Sequence, residues 1–272
     1  MLNEKDFENH VLSQLISNGW KYIEAKNLPR TTSSVFIEPM IRDALIRLNP
    51  EIASCPDNAE LVIYKLRALT LSVQSHDLIT YNERFKKMIF DENSYPIGEN
   101  GRMVTVKFFD FSEHAPVNEY IVTNQYNFNG KELDIVLFIN GFPLVVGELK
   151  TPTRSSVTWY DGAKDILDYE KSLPQLFVCN VLNFATEGKF YRYGSIGLPL
   201  EKWGPWHTIN NKNEGTLECV NRSMADMLLP EKILDIFRFF TLFATDNKHR
   251  KIKIVCRYQQ YEGANLLIDR VL

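Results

Sequence analysis

The sequence is poor in the features that would place it outside the ordinary globular classes. No uninterrupted apolar run approaches the roughly 18 residues that a membrane-spanning helix needs, and the opening Met1-Leu2-Asn3-Glu4-Lys5-Asp6 is charged where a secretory leader would be apolar. No membrane association is expected. Cysteine is scarce: Cys55, Cys179, Cys219 and Cys256 are scattered without close pairs, which excludes the spacing of a disulfide framework or a structural zinc site and suits reduced thiols in a cytoplasmic protein. The five histidines, His10, His76, His114, His207 and His249, also lack metal-ligand spacing. A basic excess is missing as well. The formal net charge is −3, so any contact with nucleic acid must be made by a local surface rather than by the field of the whole molecule. With 44% hydrophobic and 24% charged residues, no repeat and no low-complexity tract, 272 residues suffice for one large domain or one domain with an appendage.

What is present begins with helical periodicity. Phe7, Val11 and Leu15 fall at i, i+4 and i+8 with Leu12 and Ile16 beside them, the stripe of an amphipathic helix that Asn18-Gly19 terminates. Further helical patterns span 34–48, 58–75 and 78–90, divided by Asn49-Pro50 and Cys55-Pro56. The period then shortens. Segments 104–111 and 119–128 are rich in β-branched and aromatic residues, Asn129-Gly130 and Asn140-Gly141 signal turns, and 133–139 and 144–149 read as two more strands. A helix over 159–171, strands over 175–182 and 189–193, a loop-like stretch over 194–214 and a helix over 230–242 with Pro230 at its first position complete the pattern. The order predicts an α/β fold, a mixed sheet flanked by helices with a helical N-terminal portion and a C-terminal helical segment. Residues 263–272 read as the start of another helix, so the sequence is expected to be part of a longer chain.

The chemistry concentrates between Glu132 and Lys150. Asp134, Glu148 and Lys150 lie at the ends of two adjoining strands; hydrolysis of a phosphodiester calls for a carboxylate-held divalent ion and profits from a neighbouring ammonium. Strand alternation puts Glu148 and Lys150 on one face. Asp134 joins them only if the turn has the right parity. A two-residue Asn140-Gly141 loop would pair Asp134 with Gly147 and separate the carboxylates, whereas a three-residue loop, Ile139 to Gly141, pairs it with Val146. An odd-length turn or an equivalent bulge is therefore predicted. The carboxylate of Asp134 also interrupts an apolar stretch, where it is costly unless coordinated or paired.

These residues resemble the PD-(D/E)XK nuclease superfamily, in which an aspartate and an E-x-K tripeptide on neighbouring strands build a metal site. Asn118-Glu119-Tyr120, Asn124-Gln125-Tyr126, Leu133-Asp134, Phe138-Ile139-Asn140-Gly141-Phe142-Pro143-Leu144 and Glu148-Leu149-Lys150 together resemble the N-terminal nuclease domain of type I restriction subunits. Asn82-Glu83-Arg84-Phe85, Trp206 and Arg257-Tyr258-Gln259-Gln260-Tyr261 extend the resemblance over nearly the whole chain. It implies a restriction-endonuclease-like fold over 1–215 and, over 216–272, a helical linker leading to an ATP-driven motor. It further implies Mg²⁺ held by Asp134, Glu148 and the Leu149 carbonyl, with Lys150 as the catalytic cation. The substrate would be double-stranded DNA, with sequence recognition left to modification and specificity subunits.

Some positions are carried over less directly. Leu133 stands where the superfamily's name has proline. The family's Q-x-x-x-Y helix signature falls on Asp165 and Tyr169, so Tyr169 matches and Asp165 does not. Glu8 resembles an acidic position that some members place near the metal. Lys164 and Arg154 lie on elements expected around the cleft and are candidate DNA contacts. Gln260 resembles the glutamine that contacts adenine in the full-length subunit; no G-x-x-x-x-G-K-[ST] loop is present, so ATP use is expected only of the longer protein. Two other readings stay open from the residues: a non-catalytic docking module for the motor, and a free-standing repair or junction nuclease.

Overall fold

The computed structural model describes residues 3–112, 117–151, 153, 156–208 and 210–271. The N-terminal portion is helical: α1 (Glu4–Ser17), α2 (Glu38–Leu48), α3 (Pro50–Ser54), α4 (Asn58–Leu71) and α5 (Leu78–Phe90), with the short strand β1 (Lys21–Tyr22) after α1. Asn3 caps α1 by accepting the Asp6 N–H, and the helix buries Phe7, Val11, Leu12 and Leu15, the stripe read from the sequence. After two short strands, β2 (Ser94–Tyr95) and β3 (Val104–Thr105), come β4 (Tyr120–Phe128), β5 (Lys131–Ile139), β6 (Phe142–Leu149), α6 (Trp159–Ser172), β7 (Leu182–Thr186) and β8 (Tyr191–Gly194). The chain continues through α7 (Leu217–Met227), α8 (Pro230–Phe239), β9 (Thr241–Thr245), β10 (Lys251–Val255) and α9 (Tyr258–Val271).

The main sheet has the order β1-β4-β5-β6-β7-β8. β4, β5 and β6 form an antiparallel meander, β7 runs parallel to β6, and β8 returns antiparallel to β7. A parallel pair needs a crossover, and α6 supplies it, packing on β6 and β7. Every residue of β6 is buried, as expected of a central strand covered on both faces. The turn end of the meander is sealed by aromatic rings: Phe142 packs against Phe36, Phe85 and Phe109, and Phe85 stacks on Phe237 of α8. The expected fold class is what forms.

Three local readings are corrected. Segment 104–111 is strand only at Val104–Thr105. Segment 175–182 is a short 3₁₀ turn, Pro174–Phe177, and a loop that feeds β7; the carbonyls of Phe177, Val178 and Asn180 are taken by the buried Asn82 amide rather than by a ladder. The helix read as 230–242 ends at Phe239 and gives way to a β9–β10 ribbon that the sequence pattern had not shown, as α7 had not been. α7 and its C-terminus are tied to the start of the chain by Asn18, which donates to the Ala225 carbonyl, and by Trp20, whose indole donates to the Leu228 carbonyl at 2.7 Å.

Candidate active site

The geometry of the β5–β6 hairpin decides which side chains meet. Asn140 and Gly141 both have positive φ, 51° and 84°, as a two-residue type I′ turn requires. Gly141 cannot be replaced cheaply, because a Cβ there would come within 2.6 Å of the Ile37 carbonyl oxygen. Ile139 pairs with Phe142 and Phe138 with Pro143, but the next pair is Leu137 with Val145, so Leu144 is the extra residue of a bulge. Of the two arrangements expected from the sequence, an odd-length turn or an equivalent bulge, the second forms. The bulge restores the parity: the ladder runs through Val136–Val146 and Ile135–Gly147, and the next residues on the two strands are Asp134 and Glu148. Asp134 thus faces Glu148 rather than Val146, and the two carboxylates are immediate neighbours on one face.

Hydrogen bonds fix that arrangement. Asp134 Oδ2 accepts the Leu149 N–H at 2.8 Å, and Glu148 Oε1 accepts the Asp134 N–H at 3.4 Å. The Lys150 ammonium lies 3.6 Å from Glu148 Oε2 and 2.5 Å from Asp165 Oδ2. Glu148 is only 2% exposed. Burial, with the charge of Asp134 adding to it, pushes the Glu148 carboxyl well above the ordinary range, and burial raises Asp134 too, against the pull of the Leu149 N–H and Lys150. Burial works against the charge of Lys150, but Asp165, Glu148 and Asp134 outweigh it and its pKa is raised.

Helix α6 forms the wall of the site. Thr158 and Asp161 make a capping box at its start, and the Glu187 carboxylate, at the end of β7, accepts the Trp159 N–H at 3.0 Å. Gly162 faces Glu148: a Cβ there would stand 3.2 Å from the Glu148 Cβ and 3.4 Å from that of Ala185, so the missing side chain lets the helix approach the strand. Asp165 follows one turn later on Lys150. Tyr169 donates its hydroxyl to the Glu132 carbonyl at 3.2 Å, and burial together with Glu148, Asp165 and Asp134 raises its pKa.

The structure therefore brings together Asp134, Glu148, Lys150, Asp165 and Tyr169. Leu149 lies between Glu148 and Lys150 with its side chain buried. Glu8 accepts from the amides of Asn124 at 2.5 Å and Gln125 at 3.2 Å, and its charge reaches Asp134. Lys164 pairs with Asp161 at 3.7 Å and lies over the Tyr160 ring. Gln260 accepts the Arg257 N–H at 2.7 Å, at the start of α9. Arg154 lies outside the described residues. Sequence reasoning missed Glu187 and Gly162. Glu187 left no signal, while a glycine inside a helical pattern was the available cue for Gly162. Among the described residues no group of three or more His, Cys, Asp or Glu side chains forms a ready metal cage, and no helix is long and apolar enough to cross a membrane.

The chain is 32% identical over its whole length to the type I restriction enzyme HindI endonuclease subunit of Haemophilus influenzae. It is 24% identical over 97% of its length to each of two Methanocaldococcus jannaschii proteins, the putative type I restriction enzyme MjaVIIIP and MjaIXP endonuclease subunits. It spans about a quarter of the length of these relatives, between 25% and 27%. Residues 1–199 match the family described as type I restriction enzyme R protein N terminus. With well over half of its residues covered by that match, the chain belongs to the type I restriction enzyme R protein N-terminal family.

Proposed function

We propose that this chain carries the DNA-cleaving site of a type I restriction R subunit, with Asp134 and Glu148 as ligands of Mg²⁺ and Lys150 as the catalytic cation. The observation that carries the reading is the convergence of these three side chains across the bulged β5–β6 hairpin, a parity that a regular two-residue hairpin would not give. The donor set fits a hard divalent ion: Asp134 and Glu148 are two carboxylates desolvated side by side, with the Lys150 ammonium next to Glu148. Bound there, Mg²⁺ would polarise the phosphate and lower the pKa of the attacking water. Asp134 and Glu148 would hold the ion, with the Leu149 backbone carbonyl as a further oxygen ligand. Lys150 offsets charge that grows on the phosphate in the transition state. Glu8, whose carboxylate accepts from Asn124 and Gln125 and whose charge reaches Asp134, would be a further acidic group beside the ion.

The substrate in this reading is double-stranded DNA. Its sequence is recognised by modification and specificity subunits, and it is moved by an ATP-driven region of the longer subunit, to which Gln260 would present an adenine contact. In this reading the nuclease unit would span 1–215 and the connection to the motor 216–272. Calorimetric titration of the chain with Mg²⁺, repeated on Asp134→Ala, tests the site, alongside nicking of supercoiled plasmid by the full-length subunit with its partners. The substitution is expected to abolish metal binding and nicking while ATP hydrolysis persists; nicking that survives it removes Asp134 from the mechanism.

A further inference from the structure

The arrangement of α6 over the site has a specific consequence for Lys150, which rests on the nuclease reading above. Lys150 stands between two carboxylates and is closer to Asp165, at 2.5 Å, than to Glu148, at 3.6 Å. Asp165 is able to do this because α6 is fixed at three points. Glu187 holds the Trp159 N–H, Gly162 admits the helix to within contact of Glu148, and Tyr169 reaches the Glu132 carbonyl, two residues before Asp134. The face of α6 that carries Gly162, Asp165 and Tyr169 therefore lies along Glu148, Lys150 and the start of β5 in turn.

We propose that Asp165 is a positioning residue that holds the Lys150 ammonium off the pair Asp134 and Glu148, keeping those carboxylates free for the divalent ion and the lysine free for the phosphate. Without this anchor the ammonium has two buried carboxylates as its remaining partners. Lysine carries a compact, mobile charge on a flexible stem, and it would settle on Glu148 and compete with the metal. Asp165 does not touch DNA in this account, and it takes the place of the glutamine of the Q-x-x-x-Y pattern by anchoring the lysine. The negative charge itself matters less than the hydrogen bond, because the Asp165 side chain is 44% exposed and solvent screens its reach toward the ion.

The test compares Asp165→Ala with Asp165→Asn. Asparagine loses the charge but keeps an oxygen that can accept from Lys150. Mg²⁺ is titrated alone into each chain by calorimetry, and plasmid cleavage is followed in the full-length subunit with its partners. Alanine is expected to weaken Mg²⁺ binding about tenfold and to lower the cleavage kcat by a similar factor with plasmid KM unchanged, and asparagine to recover both to within about threefold of the parent. Equal losses in the two variants would reduce Asp165 to a bare charge and overturn the proposal. So would a rise in KM alone, which marks a DNA contact, or parental behaviour of Asp165→Ala while Asp134→Ala abolishes binding. If Asp134→Ala itself leaves Mg²⁺ binding intact, the nuclease site fails and this role fails with it. Asp165 is half-exposed on a helix surface, so both variants are expected to keep the parental unfolding midpoint.

Discussion

Replacing Glu170 by glutamine should make the stability of this protein depend less on pH, with a sign fixed by its surroundings. Glu170 sits on the inner face of α6, 6% exposed; its Oε1 accepts from the Asn183 amide at 3.1 Å and its Oε2 accepts the Gly197 N–H at 2.9 Å. Burial pushes its carboxyl from 4.5 up to about 7, against the Gly197 N–H and the charges of Lys253 and Lys171. Between those two pH values the folded protein keeps a proton that the unfolded chain has released. The contribution to stability is thus complete below about pH 4.5 and is lost as pH rises through about 7. The displacement is equivalent to about 3 kcal/mol, or on the order of 6–12 °C in Tm for a chain of this size. Glutamine cannot titrate. It adds a pH-independent cost of about 1–3 kcal/mol, because its NH₂ must face a donor: Asn183 cannot turn to accept while its oxygen is engaged by Asn180 at 2.8 Å. Urea unfolding of the parent and Glu170→Gln at steps from pH 4.5 to 8 follows the difference, to which Lys253 adds in the same direction, because the Glu170 charge raises its pKa and glutamine withdraws that support. The parent should lose its advantage over the variant as pH rises. A difference that stays level or widens toward pH 8 would refute the account of Glu170 as a carboxyl protonated by burial.

Lys253 should show the mirror behaviour. It is buried on β10, donates to the Asn180 carbonyl, and burial lowers its pKa from 10.5 to about 7, so its contribution is present above the unfolded value and lost as pH falls toward 7. Thermal melts at pH 7 and pH 9 should therefore show the parent gaining on Lys253→Met at the higher pH. Gly147→Ala should destabilise the chain by about 2 kcal/mol or more in denaturant unfolding, because its Cβ would lie 2.1 Å from the Phe184 ring, which is itself stacked on Tyr191. Asn140→Gly should cost about 3 kcal/mol even though glycine accepts the positive φ, since the side chain donates to Phe108 and Asn118 and accepts from Glu119 while fully buried; a near-parental urea midpoint would contradict this. Tyr169→Phe removes one long, exposed hydrogen bond to Glu132 and should shift the midpoint by less than about 0.5 kcal/mol.

Much of this arrangement was legible because local chemistry and tertiary packing agree. The α1 stripe, the Asn140-Gly141 turn and the apolar runs of β5 and β6 each have one low-energy outcome, and together they bring Asp134 near Glu148 and Lys150. The β9–β10 ribbon shows where such agreement is absent. Lys251-Ile252-Lys253-Ile254-Val255 alternates, but alternation does not say which face is the core. Here Ile254 is 43% exposed, opposite the exposed Leu242, and Lys253 is turned inward to the Asn180 carbonyl and Glu170. A buried lysine with a carbonyl partner reverses the pattern that burial of apolar surface would set. Glu187 was illegible for a different reason, since its partner, the Trp159 N–H, is brought to it by a crossover of 28 residues.

The register of the site was legible as a parity requirement: an odd-length turn or an equivalent bulge was expected, and the bulge is what forms. Pro143 lies inside a run that reads as a central strand, yet proline has no N–H to give to a ladder, and within sheets it is confined to edges, strand starts and bulges. β6 is a central strand between β5 and β7, but its pairing with β7 begins only at Val145. Pro143 is the second residue of β6, where no β7 partner is yet paired, and the register shifts at the next residue, Leu144. One extra residue inverts the faces of all that follows. Had β6 continued without the bulge, Asp134 would have met Gly147 and Glu148 would have pointed through the sheet. The Asn-Gly turn and the bulge at Leu144 therefore act together: the turn sets an even loop, the bulge adds the odd residue, and their sum aligns the carboxylates on which the proposed chemistry depends.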